Sequence, residues 1–385
     1  MSYRHWLPVA AALAVAALAT GLLWLAPRGS ASGSGVGRAI GGVALVNDAT
    51  RRPVLGLTPV TDGTVVDLTR LAGARLSLRA DPAGDAKPSS VRFTMTGANG
   101  GTYTHTDSRA PYFLCDDYVD CPLLARPDDY TLTVQAYSDD IELGAPFTVR
   151  FSVAAGAPAR PVDVLFVGNS LLGTVNKTSG EDTPALVRHL AAAAGREINV
   201  TKVIHSGYTL RQTWDDGLVA TALGGAKRYD FIVLQEYSTL VATDPSAATN
   251  TLLNTYAPTF ARALKPGGRV VLFKNWALVD PAPFPSRAAA TTAIDTNYAA
   301  LSAALVTPNL LAPIGDEFET IIAAQGAAHL IEPDGKHPND TAVYLDAATL
   351  YGILSGESPR TLADLYLPGP VASPLRETAA TAIGY

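Results

Sequence analysis

Cysteine is nearly missing from this chain of 385 residues: only Cys115 and Cys121 occur, in "FLCDDYVDCPLL". Their spacing is not C-x-x-C and no histidine cluster lies nearby, which disfavours a metal or redox pair. It suits a small disulfide loop in an oxidising compartment, worth about 2 kcal/mol on chain entropy. Charge is also scarce, at 17% against about a quarter in an ordinary soluble protein. With 48% hydrophobic residues the chain can build sizeable cores. The formal charge is -6 and no run of Lys or Arg occurs, so no basic face is available for nucleic acid. A G-x-S-x-G elbow and an H-E-x-x-H zinc motif are both missing.

The length suits two domains better than one. "MSYRHWLPVAAALAVAALATGLLWLAPRGSASGSG" opens with Arg4 and His5, continues apolar from Leu7 to Ala26, and ends in small residues. Residues 1–37 therefore read as an export signal and linker. The apolar run is also long enough to span a bilayer, so a cleaved signal (near Ala31) and a retained N-terminal anchor both stay open. Either way the bulk of the chain is expected to leave the cytoplasm, secreted or held in the cell envelope, with any membrane contact made through that segment.

Residues 38–156 alternate with period two. Val91, Phe93 and Met95 alternate with Arg92, Thr94 and Thr96, and Tyr130, Leu132 and Val134 repeat the pattern. Turn clusters separate these runs, which predicts a small antiparallel β-sandwich. On "ALVNDATRRPV", "LTPVTDGTVVDLTRL", "SVRFTMTG", "APYFL" and "DYTLTVQAYS" the region resembles the Ig-like modules appended to secreted bacterial enzymes. That resemblance implies a fold and no activity; a spacer or packing role is the expectation, with carbohydrate binding as the alternative.

Residues 157–385 change rhythm. "VDVLFVG", "INVTKVI", "DFIVLQE", "RVVLFKNW" and "NLLAPIG" are apolar runs, each followed by helical or mixed sequence. Such strands are buried on both faces, predicting an α/β fold with a doubly wound, parallel five-stranded sheet. Ligands then bind beyond the carboxyl ends of the strands.

The polar residues at those ends carry the candidate chemistry. Ser170 follows the first strand, although Asn169 and Ser170 also read as ordinary helix caps. Gly207 follows the second, where a bare N–H can approach a ligand. Gln235 follows the third, with an amide able to donate. Near the C-terminus, "DGKHPND" sets Asp334 three residues before His337. The carboxylate can reach Nδ1 and leave Nε2 as a base, unless the pair only stabilises its loop. Asn339 or Asp340 can cap the helix that follows. No second His or Cys pair accompanies His337, so no metal and no cofactor are expected.

On "VGNSLL", "HSGYTL", "VLQEYS" and "DGKHPND", residues 162–359 resemble the SGNH (GDSL-type) hydrolase superfamily, whose sheet is flavodoxin-like. The resemblance implies Ser170 as nucleophile, His337 as base and Asp334 as its orienter. It also implies an oxyanion hole made by the N–H groups of Ser170 and Gly207 and by Gln235. Gln235 stands where the family usually has Asn, and Asn169 where it usually has Asp. Asn169, His205, Tyr208 and Glu236 are candidate pocket residues; for Glu236 a part in orienting Gln235 or its loop and an exposed ion pair are alternatives. His189 is expected to be exposed, and Trp214, Tyr237 and Trp276 to line a cleft or fill the core.

The expected function is an exported serine esterase. Its partner would be an acylated carbohydrate, such as an O-acetylated envelope polysaccharide, or a small ester. A surface carbohydrate-binding protein without turnover and an acyltransferase using the same residues are the alternatives.

Overall fold

A computed structural model describes residues 37–99, 101–115, 124–158 and 160–385. The expected export segment, save for residue 37, and Cys121, with its pairing to Cys115, lie outside those residues. Within them, no helix is long and apolar enough to cross a membrane.

Eight strands come first: β1 Ile40–Asn47, β2 Thr64–Asp67, β3 Leu76–Pro82, β4 Ser90–Gly97, β5 Thr102–Asp107, β6 Tyr112–Phe113, β7 Asp128–Ser138 and β8 Ile141–Ala154. They form a three-stranded sheet, β1-β3-β6, and a five-stranded sheet, β2-β8-β7-β4-β5. The alternation in the sequence sets which side faces in. Val91, Phe93 and Met95 of β4 and Tyr130, Leu132 and Val134 of β7 are buried, while their neighbours, the buried Gln135 apart, face out or sit half-buried. One pairing departs from the antiparallel expectation: β2 runs parallel to β8. β2 is reached by a chain excursion and not by a hairpin, so period-two patterning could not reveal its direction.

Five more strands build the second sheet: β9 Val162–Gly168, β10 Ile198–Ile204, β11 Tyr229–Leu234, β12 Leu264–Phe273 and β13 Asn309–Ala312. All pair in parallel, in the order β10-β9-β11-β12-β13. The chain thus turns back at β9, and the edges of β10 and β11 diverge there. Val164 and Phe166 of β9 belong to one hydrophobic cluster, Leu165 and Val167 to the other. This burial on both faces is why the strand reads as an unbroken apolar run.

Between the strands lie α1 Ser170–Gly173, α2 Thr183–Ala193, α3 Leu210–Asp215, α4 Leu218–Gly224, α5 Leu240–Thr243, α6 Pro245–Asn250, α7 Ala257–Ala263 and α8 Arg287–Ala304. After β13 come α9 Ile314–Gln325, α10 Asp340–Ser355 and α11 Gly369–Ala382. The last was not legible in advance, because Pro370 and Pro374 interrupt its pattern.

Residues 37–385 form one compact unit, so the change of rhythm near residue 157 is not a break in packing. Leu45, Val54 and Leu57 share a hydrophobic cluster with Leu350, Ile353 and Ile383. The Arg269 guanidinium donates to the carbonyls of Thr58 and Pro59. Ser358 N–H donates to Arg70 O, and Glu357 pairs with Arg70 and Arg196. These contacts fall in the first half of β12, in the last turns of α10 and just past it, and just past the ends of α2 and α11. α10 starts beside the candidate site and its 16 residues span roughly 24 Å. The segments around these two sheets therefore brace the end of the α/β layer remote from that site.

One buried feature carries a stability prediction. Glu317 on α9 and Asp346 on α10 are fully buried. Thr349 donates its hydroxyl to Glu317, whereas neither Asp346 oxygen has a partner among the described residues. Burial pushes the Asp346 carboxyl well above the ordinary 3.8. The native state thus holds a proton that the unfolded chain releases, and stability from this group is full below about pH 4 and declines as pH rises toward the folded value. Asp346→Asn removes the ionisable group while keeping its shape. It is expected to melt above the wild type at pH 8, the gap narrowing as pH falls and closing only near pH 4 in calorimetry. Parallel melting curves across that range would refute this account.

Candidate active site

The strand ends place the first two pieces. β9 stops at Gly168, where an added Cβ would lie 2.8 Å from Gln235 Oε1, so no larger residue fits the crossing. Asn169 then caps α1, its Oδ1 accepting the Leu171 N–H at 3.1 Å. The capping reading therefore holds for Asn169. Ser170 is the first helical residue, and its N–H has no intrahelical acceptor. Its hydroxyl lies 2.9 Å from His337 Nε2.

His337 comes from the other end of the chain. Gly335 and Pro338 shape the turn, and Asn339 caps α10 by accepting from Thr341 and Ala342 N–H. Asp334 Oδ2 lies 2.5 Å from His337 Nδ1, while Oδ1 accepts the backbone N–H groups of His337 and Lys336 at 3.0 and 2.9 Å. Partial burial pulls the Asp334 carboxyl upward. The His337 ring and those N–H groups outweigh it and hold the carboxyl down at about 2. The ionised carboxylate fixes the proton on Nδ1, leaving Nε2 to accept from the Ser170 hydroxyl.

Other parts of the structure hold this loop in place. Trp276 Nε1 donates to Lys336 O at 3.2 Å, Val279 N–H donates to Gly335 O at 2.9 Å, and the Lys336 ammonium sits 4.7 Å from the Tyr237 ring centre. The segment after α1 is tied to the same region. Lys177 pairs with Glu332 at 2.7 Å, and Asp340 accepts from Lys177 N–H and the Thr178 hydroxyl. Asp340 thus acts as this strap, and Asn339 is the cap.

Gly207 sits at φ 79°, a backbone that favours glycine. Its N–H meets no acceptor among the described residues. The turn is fixed against β9: His205 N–H donates to Gly168 O at 3.0 Å, and Asn169 Nδ2 donates to Tyr208 O at 3.0 Å. The N–H groups of Ser170 and Gly207 are thereby carried on two turns bonded to each other.

Three expected roles are corrected. Gln235 is fully buried, accepts the Asn169 N–H at 2.9 Å, and directs its amide to Glu236 O and to Asn275 Oδ1. The extra methylene relative to Asn carries the amide past the rim into the interior, so it does not serve as an oxyanion donor here. Glu236 faces a small interior cavity with Leu210, Leu252 and Tyr298, not the rim, and forms no exposed ion pair. It is buried, and its Oε1 accepts from Leu210 N–H at 2.9 Å and Tyr237 N–H at 2.6 Å. Burial pushes its carboxyl up against the pull of those N–H groups. Asn169 is likewise a buried cap and not a pocket wall.

His205 and Tyr208 follow the C-terminal end of β10. Their rings lie 5.3 Å apart, His205 Nδ1 is 2.8 Å from Asp216, and Tyr208 is largely exposed. His189 is half-exposed beside Glu181. Trp276 is core and Trp214 packs edge-on against Tyr256. Asn275 was missed: it is buried, accepts from Gln235, and donates to Glu236 O at 2.9 Å. The available signal was its place, a polar residue closing the apolar run of β12, as Gln235 closes that of β11.

No family model and no curated protein matches this chain. Among solved structures it is similar to a DUF4886 family protein from Bacteroides uniformis (15% identity, 59% of this chain and 96% of that one, TM-score 0.49). It is also similar to a protein from Slackia heliotrinireducens described as a candidate SGNH hydrolase (22%, 50% and 99%, TM-score 0.40). A third is a lipase/acylhydrolase from Enterococcus faecalis (15%, 52% and 97%, TM-score 0.38). The three match between 50% and 59% of this chain at low identity, and one of them is described as an SGNH hydrolase. Likeness of this degree assigns neither activity nor substrate, and none of the three is described as carrying an Ig-like module.

Proposed function

We propose that this protein is a serine hydrolase of ester bonds. The observation that carries the reading is the line from Ser170 Oγ to His337 Nε2, 2.9 Å, and from Nδ1 to Asp334, 2.5 Å. His337 takes the hydroxyl proton as Ser170 Oγ bonds to the ester carbonyl carbon. The Ser170 and Gly207 N–H groups hold the resulting oxyanion, and His337 returns the proton to the departing alcohol. Water, deprotonated by the same ring, then releases the acid and restores the hydroxyl. Asp334 keeps the ring in one tautomer and offsets its charge when protonated.

The proposal extends to an exported enzyme acting on acylated carbohydrate. The N-terminal apolar sequence supports export, and the exposed Tyr208 beside His205 is a surface on which a sugar ring can stack. The decisive experiment combines a fluorophosphonate probe with a panel of esters from acetyl to long-chain acyl. Labelling at Ser170 together with acid release is expected. A folded protein that neither labels nor releases acid would instead be a binding protein.

A further inference from the structure

With the Gln235 amide turned inward, the proposed oxyanion hole consists of two backbone N–H groups on separate turns. Their spacing is set by what holds those turns: the direct bonds from His205 to Gly168 and from Asn169 to Tyr208 and, behind them, adjacent residues after β11. Gln235 Oε1 holds the Asn169 N–H, the peptide next to Ser170. Glu236 Oε1 holds the Leu210 N–H, the first helical residue of α3 and three residues past Gly207. That N–H has no acceptor within its own helix and depends on the carboxylate. Tyr256 grips the same residue from the other side, its hydroxyl donating to Leu210 O at 2.8 Å. Asn275 donates to Glu236 O and fixes the pair from below.

We infer that Glu236 is a positioning residue for the oxyanion hole, acting through Leu210 to hold the Gly207 turn at its working distance from Ser170. Gln235 makes the matching contact to the Ser170 turn. The inference rests on the hydrolase reading. Glu236 touches no reacting atom; its contribution is geometric, and the acceptor oxygen matters more than the charge.

The test compares Glu236→Ala, Glu236→Gln and Tyr256→Phe with the wild-type full-length chain, using p-nitrophenyl acetate turnover, phenylboronic acid affinity and thermal melting. A small misplacement at a reacting centre costs about 100-fold, so Glu236→Ala is expected to lose kcat on that order with KM nearly unchanged. Boronic acid affinity should fall in parallel, since its tetrahedral adduct uses the same N–H groups. Glu236→Gln retains the acceptor oxygen and should restore most of the turnover. Tyr256→Phe, with only the Leu210 carbonyl released, should show a smaller loss of kcat. If Glu236→Ala does not fold, the other two variants decide: Gln at wild-type kcat with a reduced Phe variant supports the role. Wild-type turnover in Glu236→Ala, or equal losses in the Ala and Gln variants, would overturn it. An inert, unlabelled wild type would overturn the hydrolase reading itself, and that outcome is distinguishable from the others.

Discussion

Ser170→Ala and His337→Ala are each expected to lower kcat by at least about 10,000-fold, because hydroxyl and ring act as one unit in forming and breaking the acyl bond. Neither change opens a core cavity. Ser170 is half-buried at the strand end, and the His337 side chain is about one-third exposed. Melting temperatures should therefore stay close to wild type, separating chemistry from folding. The double variant should be no slower than the worse single one, since a unit already broken cannot be broken twice. Initial rates on p-nitrophenyl acetate, with active-site titration of the wild type, provide the measurement. A loss below about tenfold in either single variant, or multiplicative losses in the double variant, would remove the pair from the reaction.

The largest stability effect is expected in the core behind His337. Phe318 of α9 is fully buried and stacks on Trp276, with centroids 4.0 Å apart and ring planes 9° apart. Trp276 also meets Phe273 edge-on and donates to Lys336 O in the loop of Asp334 and His337. Phe318→Ala removes a ring from a close-packed interior and is expected to cost about 3–5 kcal/mol. For a chain of this size that lowers Tm by about 4–6 °C. With one face of Trp276 unsupported, the loop loses its anchor, so kcat should fall more than KM rises. Phe318→Leu refills part of the space and should recover part of both quantities. Denaturant unfolding combined with turnover checks this. A cost under about 1 kcal/mol would mean that the site collapses around the missing ring.

Much of the architecture was readable because it is written in local periodicity. Runs such as "VLFV", short, β-branched and closed by Gly, read as strands covered on both sides, and Val164 to Val167 divide between two cores as that requires. The polar residues that end such runs were legible as rim positions, and Asp334 and His337 as neighbours on one turn. Asn339 was one of two readable caps for α10.

Direction and depth were not readable. Whether an amide such as that of Gln235 points to the rim or into the interior depends on Asn169 and Asn275, 66 and 40 residues away. Whether Glu236 is wet or buried depends on α3 folding over it. Likewise the parallel run of β2 beside β8, and the bracing of α10 by the segment of residues 55–70, are choices among long-range contacts that leave no period in the chain. The amino-acid sequence alone determined the strands, their burial and the candidate hydroxyl, imidazole and carboxylate, since these follow from side-chain type and nearest neighbours. Only the tertiary structure decided which groups meet and which turn away, because a hydrogen bond depends on positions brought together from distant parts of the chain.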